Sequence, residues 1–154
     1  MLDLEHFLPY RLSVLSNRIS EGIAQTYRNR FGLSVTEWRA IAIVGRYPRI
    51  AATEVAQRSA MDKVAVSRAV RNLLERGLLE REASDSDRRA KHLTLSEDGQ
   101  DVYDRIVPEA RAYEQRLLAA LDPDDRAALD RAIDRLAAAA EPAAPAPNPS
   151  TETA

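Results

Sequence analysis

The chain has 154 residues, 45% of them hydrophobic and 30% charged, a formal charge of −2 and no cysteine. This is a globular balance, long enough for one compact domain or for two small lobes that share long helices. The missing thiol excludes disulfides, thiolate metal sites and thiol redox sensing. The two histidines, His6 and His92, have no second ligand at metal spacing, so neither a metal nor another cofactor is expected.

Leu8, Leu12, Leu15, Ile19 and Ile23 recur at helical spacing, which predicts a first helix over about Leu4 to Arg30 with an apolar stripe that must be buried. Gly32 breaks it. Ser34 and Glu37 form a capping box for a second helix with Trp38, Ile41 and Val44 inside, expected to stop near Gly45 before Pro48. Thr53 is read as the N-cap of a very short helix with Val55 and Ala56 inward. Asp62 caps the next one, KVAVSRAVRNLLERG, which ends at Gly77, where a left-handed residue is wanted. The two together make a helix-turn-helix. LLERE and KHLTLS then alternate like strands around the polar segment ASDSDRRA, a β-hairpin with a charged tip. Ser96 starts a further helix with Val102, Ile106, Tyr113, Leu117 and Leu121 on its apolar side and a kink expected at Pro108. Asp122 and Pro123 open the last helix, striped by Leu129, Ile133, Leu136 and Ala140. The proline- and alanine-rich residues 142–154 are expected to be a disordered tail.

The near-neutral total hides an asymmetry, since both lysines lie in the slightly basic stretch 51–95, whereas 97–141 carries twelve acids against six arginines. Local charge is what meets phosphate. On the helix from Lys63, arithmetic at 100° per residue puts Val66, Val70, Leu73 and Leu74 on an inner side. Lys63, Ser67, Arg68 and Arg71 fall on another, with small Val64 and Ala65 beside them. Such a face suits the major groove of B-DNA: arginine pairs with guanine, serine with phosphate or a base edge, and Val64 and Ala65 with thymine methyls. At the hairpin tip, Asp87, Arg88 and Arg89 place charge where arginine, Arg89 first, can enter a narrow minor groove, with Asp87 shaping the loop. The alternatives are a plain solvated helix face and a hairpin edge kept soluble by its charges.

The run from Ala60 to Gly99, AMDKVAVSRAVRNLLERGLLEREASDSDRRAKHLTLSEDG, resembles the recognition helix, wing and following helix start of the MarR family of bacterial regulators. Asp87, Arg89 and Leu95 sit at the family's wing positions, and Ser96 stands where threonine is usual. The resemblance covers about Leu4 to Ala139. It implies a mainly α fold with a small β-hairpin wing: a winged helix-turn-helix module over residues 34–96 and a helical dimerisation lobe over 1–33 and 97–141. It also implies a homodimer on a pseudo-palindromic double-stranded operator, expected to be a repressor. Leu8, Leu12, Leu15, Ile19, Leu117, Leu121, Leu129, Ile133 and Leu136 are the expected dimerisation residues, consistent with more apolar stripe than one small module can cover. A small aromatic carboxylate or phenolic effector is expected to release the DNA, with Arg11, Arg18 and Trp38 as candidate pocket residues. No phosphate loop, metal cluster or activated nucleophile suggests an enzyme. A winged helix that binds protein instead of DNA is the rival, and Arg68 and Arg71 speak against it. No apolar run nears the roughly 20 residues that span a bilayer and the start lacks a secretory pattern, so the protein is expected in the cytoplasm.

Overall fold

The computed structural model describes residues 1–83 and 91–140, so the expected wing tip, with Asp87, Arg88 and Arg89, and the expected tail lie outside the described residues. In chain order the elements are α1 (Leu8–Phe31), α2 (Val35–Arg46), β1 (Ile50–Ala51), α3 (Ala52–Ser59), α4 (Lys63–Glu75), β2 (Leu79–Ala83), β3 (Lys91–Leu95), α5 (Glu97–Leu118) and α6 (Pro123–Ala140). The strands form one antiparallel sheet in the order β1-β3-β2. The fold is therefore mainly α with a small antiparallel sheet, the winged-helix arrangement expected. No helix among the described residues is long and apolar enough to cross a membrane.

Helix boundaries follow local chemistry. α1 begins at Leu8 and not at Leu4, because Pro9 belongs in a first turn, where its missing N–H costs no hydrogen bond. It ends at Gly32, whose φ of 60° is the left-handed conformation that glycine tolerates best. Ser34 Oγ accepts from the Glu37 amide at 3.1 Å while Glu37 Oε2 accepts from the Ser34 amide at 2.8 Å, the capping box that the spacing announced. α2 ends at Arg46, one residue past Gly45 and before Pro48, as expected. The glycine serves packing there: a Cβ on Gly45 would overlap the Tyr103 ring of α5. α3 starts at Ala52, with the Ala51 amide donating to Glu54 Oε2 at 3.3 Å, so Thr53 lies inside the helix and is not its cap. β1, two residues long, offered no alternation to read; it exists because Ile50 and Ala51 find Leu93 and His92 opposite them on β3. α5 passes through Pro108 as a single helix.

Two compact units divide the chain, Met1–Tyr113 and Glu114 onward. The core of the first unit gathers Ala24 and Tyr27 of α1, Ile41 and Val44 of α2, Val55 of α3, Val66, Val70 and Leu73 of α4, Leu79 and Leu93 of the sheet and Ile106 of α5. In the second, Asp122 Oδ1 accepts from the Asp125 amide at 2.8 Å and so caps α6, and Arg126 Nε donates to the Leu118 carbonyl at 3.0 Å. No residue of α6 is buried.

Candidate nucleic-acid interface

The helix at the centre of the expected interface is α4. Asp62 Oδ2 accepts from the Ala65 amide at 2.8 Å, satisfying one of the amides that a helix start leaves unpaired. Val66, Ala69, Val70 and Leu73 are buried, and Ala69 joins the inner face that arithmetic assigned to Val66, Val70, Leu73 and Leu74. The far end is tied down twice. Arg76 Nη2 donates to the Phe31 carbonyl at 2.6 Å and Nη1 to the Gly32 carbonyl at 3.2 Å. Buried Glu37 lies 4.0 Å from Arg76 and accepts from Asn72 Nδ2 at 3.5 Å. Nothing in the sequence pattern marked these contacts, because 35 or more residues separate Asn72 and Arg76 from Phe31, Gly32 and Glu37.

At the next junction Ser96 is 7% exposed; its hydroxyl donates to the Gly77 carbonyl at 2.5 Å and accepts from the Gly99 amide at 3.0 Å. One side chain thereby closes the end of α4 and caps α5. Gly99 has to be glycine, since a Cβ there would overlap the Leu78 carbonyl oxygen. The serine in place of threonine keeps the hydroxyl that both bonds need.

With its inner face and both ends fixed, α4 turns Lys63, Val64, Ser67, Arg68 and Arg71 to solvent. Among the described residues, none of Lys63, Arg68 and Arg71 forms a salt bridge. Ala65 is set apart from them. It is half-buried and faces the opposite flank, where a cavity of about 560 Å³ is lined by Ser16, Ser20 and Glu21 of α1, Arg39 of α2, and Met61, Asp62 and Ala65 at the start of α4. Arg39 Nη1 donates to the Ser59 carbonyl at 3.0 Å, in the turn where Ala60 holds a left-handed φ of 52°. The Arg28 guanidinium, hydrogen-bonded to Glu21 at 2.9 Å, holds the Glu21 carboxyl below its usual pKa, so that wall of the cavity stays ionised but paired. A second groove, about 440 Å³, opens between α3 and α4 and contains Lys63, Ser67 and Arg71.

The candidate effector residues are not brought together. Arg11 and Arg18 are exposed on α1, and neither they nor Trp38 line the cavity beside Arg39. Trp38 is half-buried between Tyr27 and Tyr103, with ring centroids 5.8 and 6.2 Å away. Burial pushes the Tyr27 phenol above its ordinary pKa, and its hydroxyl has no hydrogen-bond partner among the described residues. Of the expected dimerisation residues, Ile19 and Leu121 are half-buried, while Leu8, Leu12, Leu15, Leu117, Leu129, Ile133 and Leu136 are exposed. Among the described residues no group of three or more His, Cys, Asp or Glu is placed to hold a metal ion.

The family model described as MarR family matches residues 31–90, from the end of α1 through the helix-turn-helix and into the hairpin. A solved MarR family transcriptional regulator from Silicibacter pomeroyi DSS-3 is 30% identical, with 90% of this chain and 98% of that one covered and a TM-score of 0.78. The chain belongs to the MarR family. Two other MarR-like folds are similar at lower identity. BpsR from Bordetella bronchiseptica, whose DNA binding is regulated by 6-hydroxynicotinic acid, is 20% identical over 89% of this chain and 97% of its own, with a TM-score of 0.77. PcaV from Streptomyces coelicolor, a transcriptional regulator solved with its natural ligand, is 23% identical over 92% of this chain and 99% of its own, with a TM-score of 0.71. Against curated protein sequences no significant match is found. In this winged-helix fold α4 is the second helix of the helix-turn-helix and the β2–β3 hairpin is the wing.

Proposed function

We propose that this MarR protein is a cytoplasmic, ligand-responsive repressor that binds a pseudo-palindromic double-stranded operator as a homodimer. The observation that carries the reading is the outward face of α4: Lys63, Ser67, Arg68 and Arg71 lie in solvent without salt bridges among the described residues, on a helix whose opposite face and two ends are locked into the first unit. A helix held this way enters a major groove with little loss of its own freedom, and its arginines reach guanine edges. The exposed leucines of α1 and the bare stripe of α6 favour a second copy as the cover, and a twofold dimer matches half-sites roughly 10 base pairs apart.

The effector seat is assigned to the cavity beside Arg39, for a small aromatic carboxylate or phenol. Of its two carboxylates, Glu21 is paired with Arg28 and Asp62 is engaged by the Ala65 amide, which leaves the Arg39 guanidinium to meet an anion. A ligand there would touch both the cap of α4 and the arginine that holds the Ser59 carbonyl. The aromatic acid that regulates BpsR is in keeping with this chemistry.

Fluorescence anisotropy on the duplex upstream of the protein's own gene tests the first claim. Arg68→Ala and Arg71→Ala are each expected to lose about 1–3 kcal/mol of discrimination between that duplex and a scrambled one. Wild-type protein showing no salt-sensitive affinity for any such duplex would end the reading.

A further inference from the structure

The wing's first strand carries an arginine where its geometry calls for an apolar side chain. In β2, Arg81 stands opposite Leu93 of β3, and directly opposed residues of an antiparallel pair project to the same face. Leu93 is 1% exposed, and Leu79, two residues before Arg81 and so also on that face, is 2% exposed. Arg81 therefore leaves from the core side of the sheet, yet it is exposed. It escapes into the groove between α3 and α4, which it lines together with Lys63 and Arg71.

Three cations thus share one groove of about 440 Å³ with the neutral donors Thr53, Gln57 and Ser67, and among the described residues no acidic one lines it. None of the three is salt-bridged among the described residues, and the neighbouring carboxylate, Glu82, is already taken by Arg49 at 2.8 Å. Like charges brought together without a counter-charge repel, so the groove suits an anionic group. The position of the groove selects which anion. When the second helix of a helix-turn-helix lies in the major groove, the first crosses the sugar-phosphate backbone, so the strand bordering the major groove passes over the α3–α4 junction. We infer that this groove seats a backbone phosphate of the operator, and that Arg81 is a DNA-contacting residue completing a set with Lys63 and Arg71. The inference rests on the DNA-binding reading of α4 and adds a phosphate anchor at the base of the wing. Such an anchor sets register without reading sequence.

The experiment measures duplex affinity of the full-length protein against salt, for wild type, Arg81→Gln and Arg81→Lys, on cognate and scrambled duplexes, with thermal unfolding alongside. Arg81→Gln is expected to weaken both duplexes by the same factor and to make the slope of log K against log salt shallower by about one per protomer. Arg81→Lys is expected to restore the slope, and neither variant to shift the melting temperature. A role confined to covering Val66 and Val70 with its alkyl stem would instead lower the melting temperature and leave the slope alone, which overturns the inference. If inorganic phosphate at low millimolar concentration stabilises wild type but not Arg81→Gln while the salt slopes of the two agree, the groove is a free-anion site and the assignment to DNA falls. Wild type binding duplex normally with Arg81→Gln unchanged sinks the phosphate seat alone; wild type without duplex affinity sinks the reading beneath it as well.

Discussion

α4 and α6 are built from similar instructions and meet opposite fates. Each begins with an aspartate whose carboxylate takes an amide three residues on, at 2.8 Å in both, and each repeats apolar residues every three or four positions. Leu73 of α4 is nevertheless 0% exposed, whereas Ile133 of α6 is 54% exposed. The difference teaches that periodicity reports which side of a helix avoids water and is silent on what will cover it. α4 is covered by α2, α3 and the sheet within its own unit; the stripe of α6 has no such cover there, and an exposed apolar stripe of that length is a surface for association.

The strongest way to break this comparison is to substitute both stripes. Leu73→Ala is expected to cost about 2–5 kcal/mol through lost contacts and a cavity, read as a lower urea midpoint with the molecular mass in solution unchanged. Ile133→Asp is expected to halve the mass by sedimentation. A variant Ile133→Asp that keeps the wild-type mass would mean that α6 does not associate.

A smaller effect sharpens the comparison at the helix starts. Asp62→Ala and Asp122→Ala each remove one cap hydrogen bond, an expected loss of about 1 kcal/mol apiece in helix stability. Because α4 belongs to the core unit, the Asp62 variant should lower the cooperative unfolding midpoint. The Asp122 variant should act mainly on hydrogen exchange within α6, and equal midpoint shifts would show that the second unit unfolds together with the first.

The smallest expected effect concerns the core side alone. Tyr27→Phe removes a buried hydroxyl that has no partner among the described residues, so stability near neutral pH should change by less than about 1 kcal/mol. At alkaline pH the two proteins should part. The fold raises the Tyr27 pKa, so the unfolded chain gives up this proton first. That contribution is intact below the ordinary tyrosine pKa of about 10 and is lost as pH climbs through the raised value in the fold. The phenylalanine variant should lack this share of the alkaline decline, measured by urea denaturation at stepped pH.

Much of the architecture was legible from residues because its causes are local. Ser34 with Glu37, Asp62, Gly32, Gly77 and Ser96 each act within a few positions, and all appear in the predicted roles. What was not legible has a different cause. The helix does stop beside Gly45, at Arg46, but the packing that requires a glycine there comes from the Tyr103 ring, 58 positions away. Thr53 reads as a cap, yet pairing of Ile50 and Ala51 with β3 moves the helix start back to Ala52. The outward face of α4 was readable by angle alone, except that Ala65 turns toward α1. Arg39 and Arg81, which the proposals above use, were not singled out in the sequence because nothing beside them in the chain distinguishes them from other surface arginines; their placement depends on the α3–α4 turn and on the core face of the wing.

What the chain dictated unaided was its helices, most of their limits and the polarity of each face, since hydrogen-bond caps, glycine torsions and the 3.6-residue repeat are settled by neighbours. Tertiary structure alone decided which cations are spent on carbonyls and carboxylates and which line an open groove. Arg76 closes on Phe31 and Gly32 and Arg28 on Glu21, while Lys63, Arg71 and Arg81 converge on one groove. The physical reason is that a long cation finds its partner through space, across elements whose separation along the chain carries no record of where they will meet.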